Sequence, residues 1–537
     1  MEPSPSEQPT TPTPSGESPR RGRHRHVRPP RSRAARWRRR VLFSVAGVLS
    51  FVILLAAGAF AYVEYRLHQI HRVKVVGLVP VKAAPGHSVR QTPYNVLLVG
   101  DNCRDCLDGK QSGAFGSAAD VGGGRSDVTM LLHVNPVTNS VSILSIPRDL
   151  WLPIPDSTGE IRVDAALDNG PNQLVTTIED DLDIPINHYI ELNFDTFQDV
   201  VNALGGLNMY FPVRAYDAYS GLNVPTGCYH LNGYQALQVA RARHYYYVQG
   251  GSWQYDGLGD ISRIQRDHEF LKVLATALSS RGLSDPITDN SLLSAVAKDL
   301  TLDSTFSTGD MIHAAETFSR VNLGAAPETT LSVDEDNSPN GFVFDGSQYG
   351  DVVFPSNTSD RASITAFLGA AVDGAHLSTG AVPPVTVLNG SGVAGQETTT
   401  ATALRALGFT VAGVRTTTVQ STPAETVVYY GPGHEADAQR LADDLGGAVA
   451  LGQDAALAGH GLALVTGSNL TVAAPAPKRG TASKAPAPTA PSATPIGGLT
   501  QTNPSYPSFD PTACAPGAHA GPLPTLAIPS SSVLPQT

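Results

Sequence analysis

Apolar positions along the chain fall into three patterns. The run 41–63, VLFSVAGVLSFVILLAAGAFAYV, carries no charge. At about 1.5 Å rise per helical residue it can cross roughly 30 Å of hydrocarbon, and so predicts a membrane-spanning helix. A secretory signal would have a shorter apolar core and a small-residue cleavage site. No such site precedes Glu64, so the run reads as an uncleaved anchor. The second pattern is short strand-like runs ended by turn residues: NVLLVG (95–100), VTMLLHV (128–134), SVSILSI (140–146), HYIELN (188–193) and LNMYFPV (207–213). The connection NPVTN between the second and third predicts a hairpin. The third pattern is helical spacing over 171–183, 196–206, 232–243 and 261–282, the last closed by Gly282.

The same alternation starts again near Pro383. VTVLNG (385–390), a helix over 396–407, FTVAGV (409–414), TVVYYG (426–431), a helix from Glu435 and LALVTG (462–467) predict a second, smaller α/β unit. The predicted organisation has six parts: a disordered basic segment 1–40, the membrane helix 41–63, a stalk 64–90, a large α/β domain 91–375, a small α/β domain 383–470 and a Pro/Ala/Thr-rich disordered tail 471–537. The motifs of the large domain concentrate in 92–285.

Charge gives the anchor a direction. Residues 1–40 hold eleven Arg and three Glu, a net of +8, within a chain whose formal charge is -11. Basic residues directly before a span remain inside, which predicts a cytoplasmic N-terminus and extracytoplasmic C-terminal domains at the cell membrane. A basic run beside a span is explained by topology and lipid headgroups, so no nucleic-acid partner is expected. The glycine loop Gly390–Gly395 literally matches a dinucleotide fingerprint. The next strand, FTVAGV, ends without the acid a ribose requires, and a tight strand-to-helix turn is the simpler reading.

Candidate chemistry collects where strands end and helices begin. Arg125 and Asp127 precede a strand, Arg148 and Asp149 follow one, Arg241 and Arg243 end a helix, and Asp260, Arg263 and Arg266 open another. Each cluster alone is an ordinary surface ion pair. Together, many Arg with a few carboxylates have the composition of a pyrophosphate site, because guanidinium forks match phosphate oxygens and carboxylates can hold a bridging Mg²⁺.

The runs NVLLVGDNCRD, GGGRSDVTMLLHVNP, SILSIPRDLWLPIP, ARARH and DISRIQRDHEF, in this order, resemble the catalytic domain of the LytR–CpsA–Psr (LCP) family. The unit from PPVTVLNGSGVAG to LALVTG is similar to the LytR C-terminal domain of actinobacterial members. The resemblance implies an α-β-α layered domain with a mixed central sheet and an apolar pocket for a polyprenyl chain. It also implies a phosphotransferase that moves a glycopolymer from undecaprenyl pyrophosphate to a peptidoglycan hydroxyl. In that reading Asp127 and Asp101 bind Mg²⁺, and Asp127, Arg148, Asp149, Arg241 and Arg243 form the catalytic set, with Asp149 a candidate base. Arg104, Arg125, Arg148, Arg241, Arg243, Arg263 and Arg266 hold the pyrophosphate. Two positions depart from the family pattern. Gly-x-Asp-x-Arg becomes Gly100-Asp101-Asn102-Cys103-Arg104, displacing the acid by one, and the Gln after the last Arg is Asp267. A polyprenyl-pyrophosphate phosphatase and a non-catalytic wall-binding or regulatory protein are the alternatives.

The chain has four Cys. One CxxC without a second disfavours structural zinc, and an extracytoplasmic setting favours a disulfide. Cys103 pairs with Cys106 or forms a longer bridge to Cys228, and Cys514 is expected to be unpaired.

Overall fold

The computed structural model describes residues 64–83, 86–102, 124–155, 159–257, 260–281, 300–321, 326–335, 342–344, 347–368, 382–416, 425–468, 470–473 and 508–535, with isolated positions in 50–62 and 291–295. The chain divides into two compact units, Met1–Tyr62 and Val63–Thr537, and the architecture below is that of the second. The predicted span 41–63 lies almost wholly outside the described residues. Among the described residues, no helix is long and apolar enough to cross a membrane.

The large domain begins with β1 (His71–Val73), β2 (Tyr94–Asp101), β3 (Ser126–Asn135) and β4 (Ser140–Ser145). Helix α1 (Pro171–Leu182), β5 (His188–Asn193), α2 (Phe194–Ala203) and β6 (Leu207–Phe211) follow. Next come β7 (Ala215–Asp217), β8 (Leu222–Val224), β9 (Gly227–Leu231), α3 (Gly233–Ala240), β10 (Tyr246–Gln249), β11 (Ser252–Tyr255) and α4 (Asp260–Arg281). Strands β12 (Thr301–Asp303) and β13 (Glu328–Thr330) complete a seven-stranded sheet in the order β1-β12-β5-β2-β3-β4-β13.

This sheet is mixed. β2 runs parallel to β5 and antiparallel to β3, while β13 lies parallel to β4. The predicted hairpin joins β3 and β4, and Asn135 Oδ1 accepts the Val137 and Thr138 amides at 3.0 and 3.2 Å. Strand alternation sends successive side chains to opposite faces. Leu97, Val99, Leu131 and Leu144 pack with Leu174, Val175 and Ile178 of α1. Val96, Met130, Val134 and Ile143 form the other face, with Leu271 of α4 against it. Helices therefore cover both faces, in α-β-α layers.

Local sequence explains the helix ends. Pro171 opens α1, and left-handed Asp183 (φ 50°) ends it. Asn193 caps α2 by accepting the Thr196 amide at 2.9 Å. Asn232 and Gln235 form a capping box on α3. Gly233 lets α3 approach α2, since a Cβ there would lie 2.3 Å from the Gln198 carbonyl.

The second α/β unit has β14 (Val385–Asn389), α5 (Gln396–Leu407), β15 (Val411–Thr416), β16 (Thr426–Tyr430), α6 (Glu435–Ala442), β17 (Val449–Gln453) and β18 (Leu462–Thr466). Its sheet order is β15-β14-β18-β16-β17, around its own apolar core.

Three expectations are corrected. Residues 64–90 are not merely a stalk: Leu67 and Ile70 are buried against Leu302 and Phe306, and β1 is the edge of the main sheet. Short apolar segments of this kind have no pattern that separates them from a linker. Residues 508–535 of the supposed disordered tail lie on the large domain. There β19 (Thr512–Ala513) and β20 (Gly521–Pro522) flank β6 and β9 in one four-stranded sheet. Cys514 is not unpaired but bonded to Cys228 across 286 residues of sequence. Composition missed this because a segment with no core of its own can still add strands to another domain. Cys103 and Cys106 lie outside the described residues.

Candidate functional site

The site lies where β2, β3, α2, α3 and α4 meet. Between them is a cavity of about 190 Å³. Its deep wall is apolar, with Leu98, Met130, Phe197, Val200, Leu237 and Leu274 among the lining residues. Its charged lining is Asp101, Asp127, Arg241, Arg243, Arg263 and Asp267. A hydrocarbon slot joined to guanidinium groups suits an amphiphile with an anionic head.

Strand geometry brings the two carboxylates together. Gly100 pairs with Val128 while Asp101 pairs with Ser126, so the register shifts at this point and Asp127 is the extra residue. Such a bulge redirects side chains locally. Asp101 and Asp127 then line one cavity despite the one-residue displacement of the acid. Asn102 does different work. Its side-chain oxygen accepts the Arg125 amide at 3.1 Å, and its own amide donates to the Arg125 carbonyl at 3.0 Å.

The charges form a continuous lattice. Arg148 lies 3.2 Å from Asp127, 3.5 Å from Asp149 and 3.3 Å from Asp260. Arg263 lies 3.0 Å from Asp260 and 3.9 Å from both Asp127 and Asp267. It also donates to the Asp127 carbonyl. Arg162 reaches Asp149 at 3.3 Å and grips Asp164 through two bonds of 2.8 Å. Burial alone would raise the Asp127 carboxyl, but Arg263, Arg148, Arg243 and Arg241 outweigh it and hold the group below its ordinary value.

Arg241 and Arg243 stand on the cavity side of this lattice. The Arg241 guanidinium lies 4.7 Å from the Phe194 ring centroid. Arg243 has no carboxylate within ion-pair distance among the described residues. Burial lowers its pKa, and Arg148 and Arg263 lower it further. An incompletely balanced cation in a cavity wall favours an incoming anion. Buried Asp217 holds the backbone here by accepting the Arg243 and His244 amides at 2.8 and 3.0 Å.

The other expected residues divide. Arg148 and Asp149 stand beside the cavity, joined to it through Asp127. Asp149 is pushed up by burial and held between Arg148 and Arg162, so the lattice uses it to orient guanidinium groups. Arg125 faces Asp164 at 3.7 Å. Arg104 lies outside the described residues.

Arg266 is a correction. It is fully buried and points away from the cavity, toward Asp510 at 2.9 Å and Asp256 at 3.4 Å. On α4 the cavity stripe is Arg263, Asp267, Phe270 and Leu274, spaced by four and three residues. Arg266 and Glu269 lie on the neighbouring stripe, against the tail. Asp267 lines the cavity in place of the family's Gln, and burial pushes it up to about 7 against the pull of Arg263 and Arg266. Arg162, Asp164, Asp217 and Phe194 were not singled out from sequence. Arg162 and Asp164 do form an i, i+2 charge pair, a signal that was available.

These features define a domain in which an apolar slot opens onto an arginine lattice. A family model described as the LytR_cpsA_psr family matches residues 70–352, and the chain belongs to that family. A second model, described as LytR cell envelope-related transcriptional attenuator, matches residues 383–469. The chain is similar to "Probable cell wall biosynthesis protein LcpB" of Corynebacterium glutamicum, with 30% identity over 45% of this chain and 53% of that protein, so about half of that relative's length is spanned. It is also similar to the "Polyisoprenyl-teichoic acid--peptidoglycan teichoic acid transferase TagU" of Bacillus cereus, with 29% identity over 44% of this chain and 70% of the other. The solved "LytR-Csp2A-Psr enzyme from Actinomyces oris" aligns with a TM-score of 0.42 and 23% identity, over 56% of this chain and 97% of that one.

Proposed function

We propose that this chain is a membrane-anchored, extracytoplasmic phosphotransferase. It moves a wall glycopolymer from undecaprenyl pyrophosphate to a hydroxyl of peptidoglycan and leaves a phosphodiester. Residues 41–63 would anchor it with the N-terminus in the cytoplasm, keeping the site near the outer leaflet. The observation that carries the reading is the apolar cavity that shares its wall with Arg241, Arg243, Arg263 and Asp127. The Bacillus cereus relative is named for a transfer of the same kind, which supports the reading.

In this reading the prenyl chain lies in the apolar slot and the guanidinium groups hold the pyrophosphate oxygens. The acceptor oxygen bonds to the glycan-bearing phosphorus, and the bond from that phosphorus to the bridging oxygen breaks. Polyprenyl phosphate leaves, and the hydroxyl proton ends on it. Positioning and charge neutralisation supply the rate enhancement. Among the described residues, no group of three acidic, His or Cys side chains is placed to hold a metal by itself. Two carboxylates on the cavity wall fit Mg²⁺, which uses few protein ligands and takes substrate phosphates and water for the rest. Asp127 and Asp101 would hold it, and it would neutralise charge on the pyrophosphate.

The test uses the full-length chain in detergent with Mg²⁺, a polyprenyl-pyrophosphate sugar and a peptidoglycan fragment. Transfer to the fragment is the expected result. Phosphate release without transfer would make the protein a phosphatase. The catalytic reading fails if neither occurs and if Arg148→Ala and Arg241→Ala leave lipid binding unchanged.

A further inference from the structure

The C-terminal tail meets the back of the site through one buried pair. Arg266 Nη1 donates to Asp510 Oδ1 at 2.9 Å, and Arg266 Nη2 donates to the Ala242 carbonyl at 2.6 Å. Ala242 is the residue between Arg241 and Arg243, the two cavity-lining arginines of this segment. The Arg266 guanidinium also lies 4.5 Å from the Tyr245 ring centroid. Asp510 and Arg266 are both buried from solvent.

Several contacts set the tail in place around this pair. Phe509 stacks on Tyr247 with centroids 4.1 Å apart, and its carbonyl accepts from the Tyr245 hydroxyl at 3.4 Å. Thr512 and Ala513 pair with Tyr210 and Met209, and the Ala513 amide donates to Glu269 on α4 at 3.2 Å. Cys514 is bonded to Cys228. Farther along, the Leu526 and Ala527 carbonyls accept from Asn223 and Arg214 at 3.2 Å each.

We propose that Asp510 is a positioning residue for the phosphate-facing arginines: by fixing the Arg266 guanidinium on the Ala242 carbonyl, it sets the backbone from which Arg241 and Arg243 reach the cavity. Two anchors then hold this short segment. Asp217 holds the amides of Arg243 and His244, and the Asp510–Arg266 pair holds the carbonyl of Ala242. An Arg can grip a carboxylate and a carbonyl at once because its donors form a rigid planar fork. Without the Asp510 charge, Asp256 at 3.4 Å is the remaining acid, and its pull is opposed only by the Ala242 carbonyl and the Tyr245 ring. A segment that would otherwise end at a helix terminus thereby depends on a residue 244 positions along the chain from Arg266.

The inference rests on the pyrophosphate reading of the cavity, so the test has one readout that needs no ligand. The full-length chain with its disulfide intact is compared with Asp510→Asn, which keeps the side-chain volume. Backbone hydrogen exchange over 241–247 is expected to quicken while β2 and β3 stay protected. Binding of geranylgeranyl pyrophosphate in Mg²⁺ is expected to weaken by about tenfold. In an Arg243→Ala background, Asp510→Asn should alter affinity less than it does alone, because the two changes act on one element. A general loss of stability would instead give additive effects. Unchanged exchange, unchanged affinity, or strict additivity overturns the proposal. If the unaltered chain binds no prenyl pyrophosphate, the reading of the cavity fails, and exchange alone decides whether Asp510 orders the segment. Should Asp510→Asn not fold, Arg266→Lys carries the same readouts, since an ammonium cannot reproduce the fork.

Discussion

Arg243 and Arg148 are both site arginines with opposite electrostatic surroundings. Arg148 neutralises Asp127, Asp149 and Asp260, so Arg148→Ala leaves three acids to share Arg162 and Arg263. Leaving a buried charge wholly unpaired costs about 3–5 kcal/mol; with Arg162 and Arg263 still present, urea unfolding of Arg148→Ala should show a smaller loss, on the order of 1–3 kcal/mol. Arg243 is crowded by other cations instead. Arg243→Ala should leave the unfolding midpoint near that of the unaltered chain and weaken prenyl-pyrophosphate binding by about 10- to 100-fold, measured by titration calorimetry. Asp267 adds a pH signature. Its carboxyl is pushed up to about 7. Below that pH it carries a proton and can donate as an amide would, and above it an anion faces the phosphate. Donor affinity should fall as pH rises through about 7, and Asp267→Asn should flatten that profile. At this scale the sequence named the cavity residues Asp127, Asp101, Arg241, Arg243 and Arg263. It misplaced Arg266, because motif membership does not specify which stripe of a helix a side chain occupies.

Elements carry the residues into register. The helices α1 to α4 were legible from an apolar face at helical spacing, and strands β2 to β5 from short apolar runs bounded by turn residues. Weak elements were not. Strands β7 to β11 are short, and their aromatic and polar residues alternate without a clear apolar face. The bulge between β2 and β3 was also hidden, since it depends on how two distant strands pair. Close helix contact is a further element-scale feature. Gly233→Ala places a methyl 2.3 Å from the Gln198 carbonyl, so α3 must move away from α2. A destabilisation of about 1–3 kcal/mol is expected from overpacking, read as a lower urea midpoint with an unchanged slope.

At the scale of the whole molecule, acids accumulate where the second α/β unit meets the large domain. Asp181 of α1 accepts the Leu451 amide at 3.3 Å, and Asp181 and Glu160 each raise Glu425 further after burial has raised it well above its ordinary value. Burial pushes Glu160 and Asp181 up to about 7, and Glu179 and Glu435 up to about 8. These values exceed the unfolded carboxyl value of about 4, so the folded chain binds more protons across the interval between them. Their contribution to stability is complete below the unfolded value and is lost as pH rises through about 7 to 8. Thermal unfolding followed from pH 5 to pH 9 should show a falling Tm over that interval, and Glu425→Gln should reduce the slope.

The sequence by itself determined the α/β class, the two folded units, the family and the arginine-rich composition of the site. The family follows from the resemblance of its ordered motifs, and the rest from local periodicity, turn chemistry and residue type, all properties of neighbouring positions. Only the tertiary structure decided which arginines face the cavity, how a bulge seats the displaced Asp101, and that Cys514 and Asp510 belong to the large domain. Those outcomes depend on strand register and on contacts between residues hundreds of positions apart, where side-chain direction is set by packing rather than by local pattern.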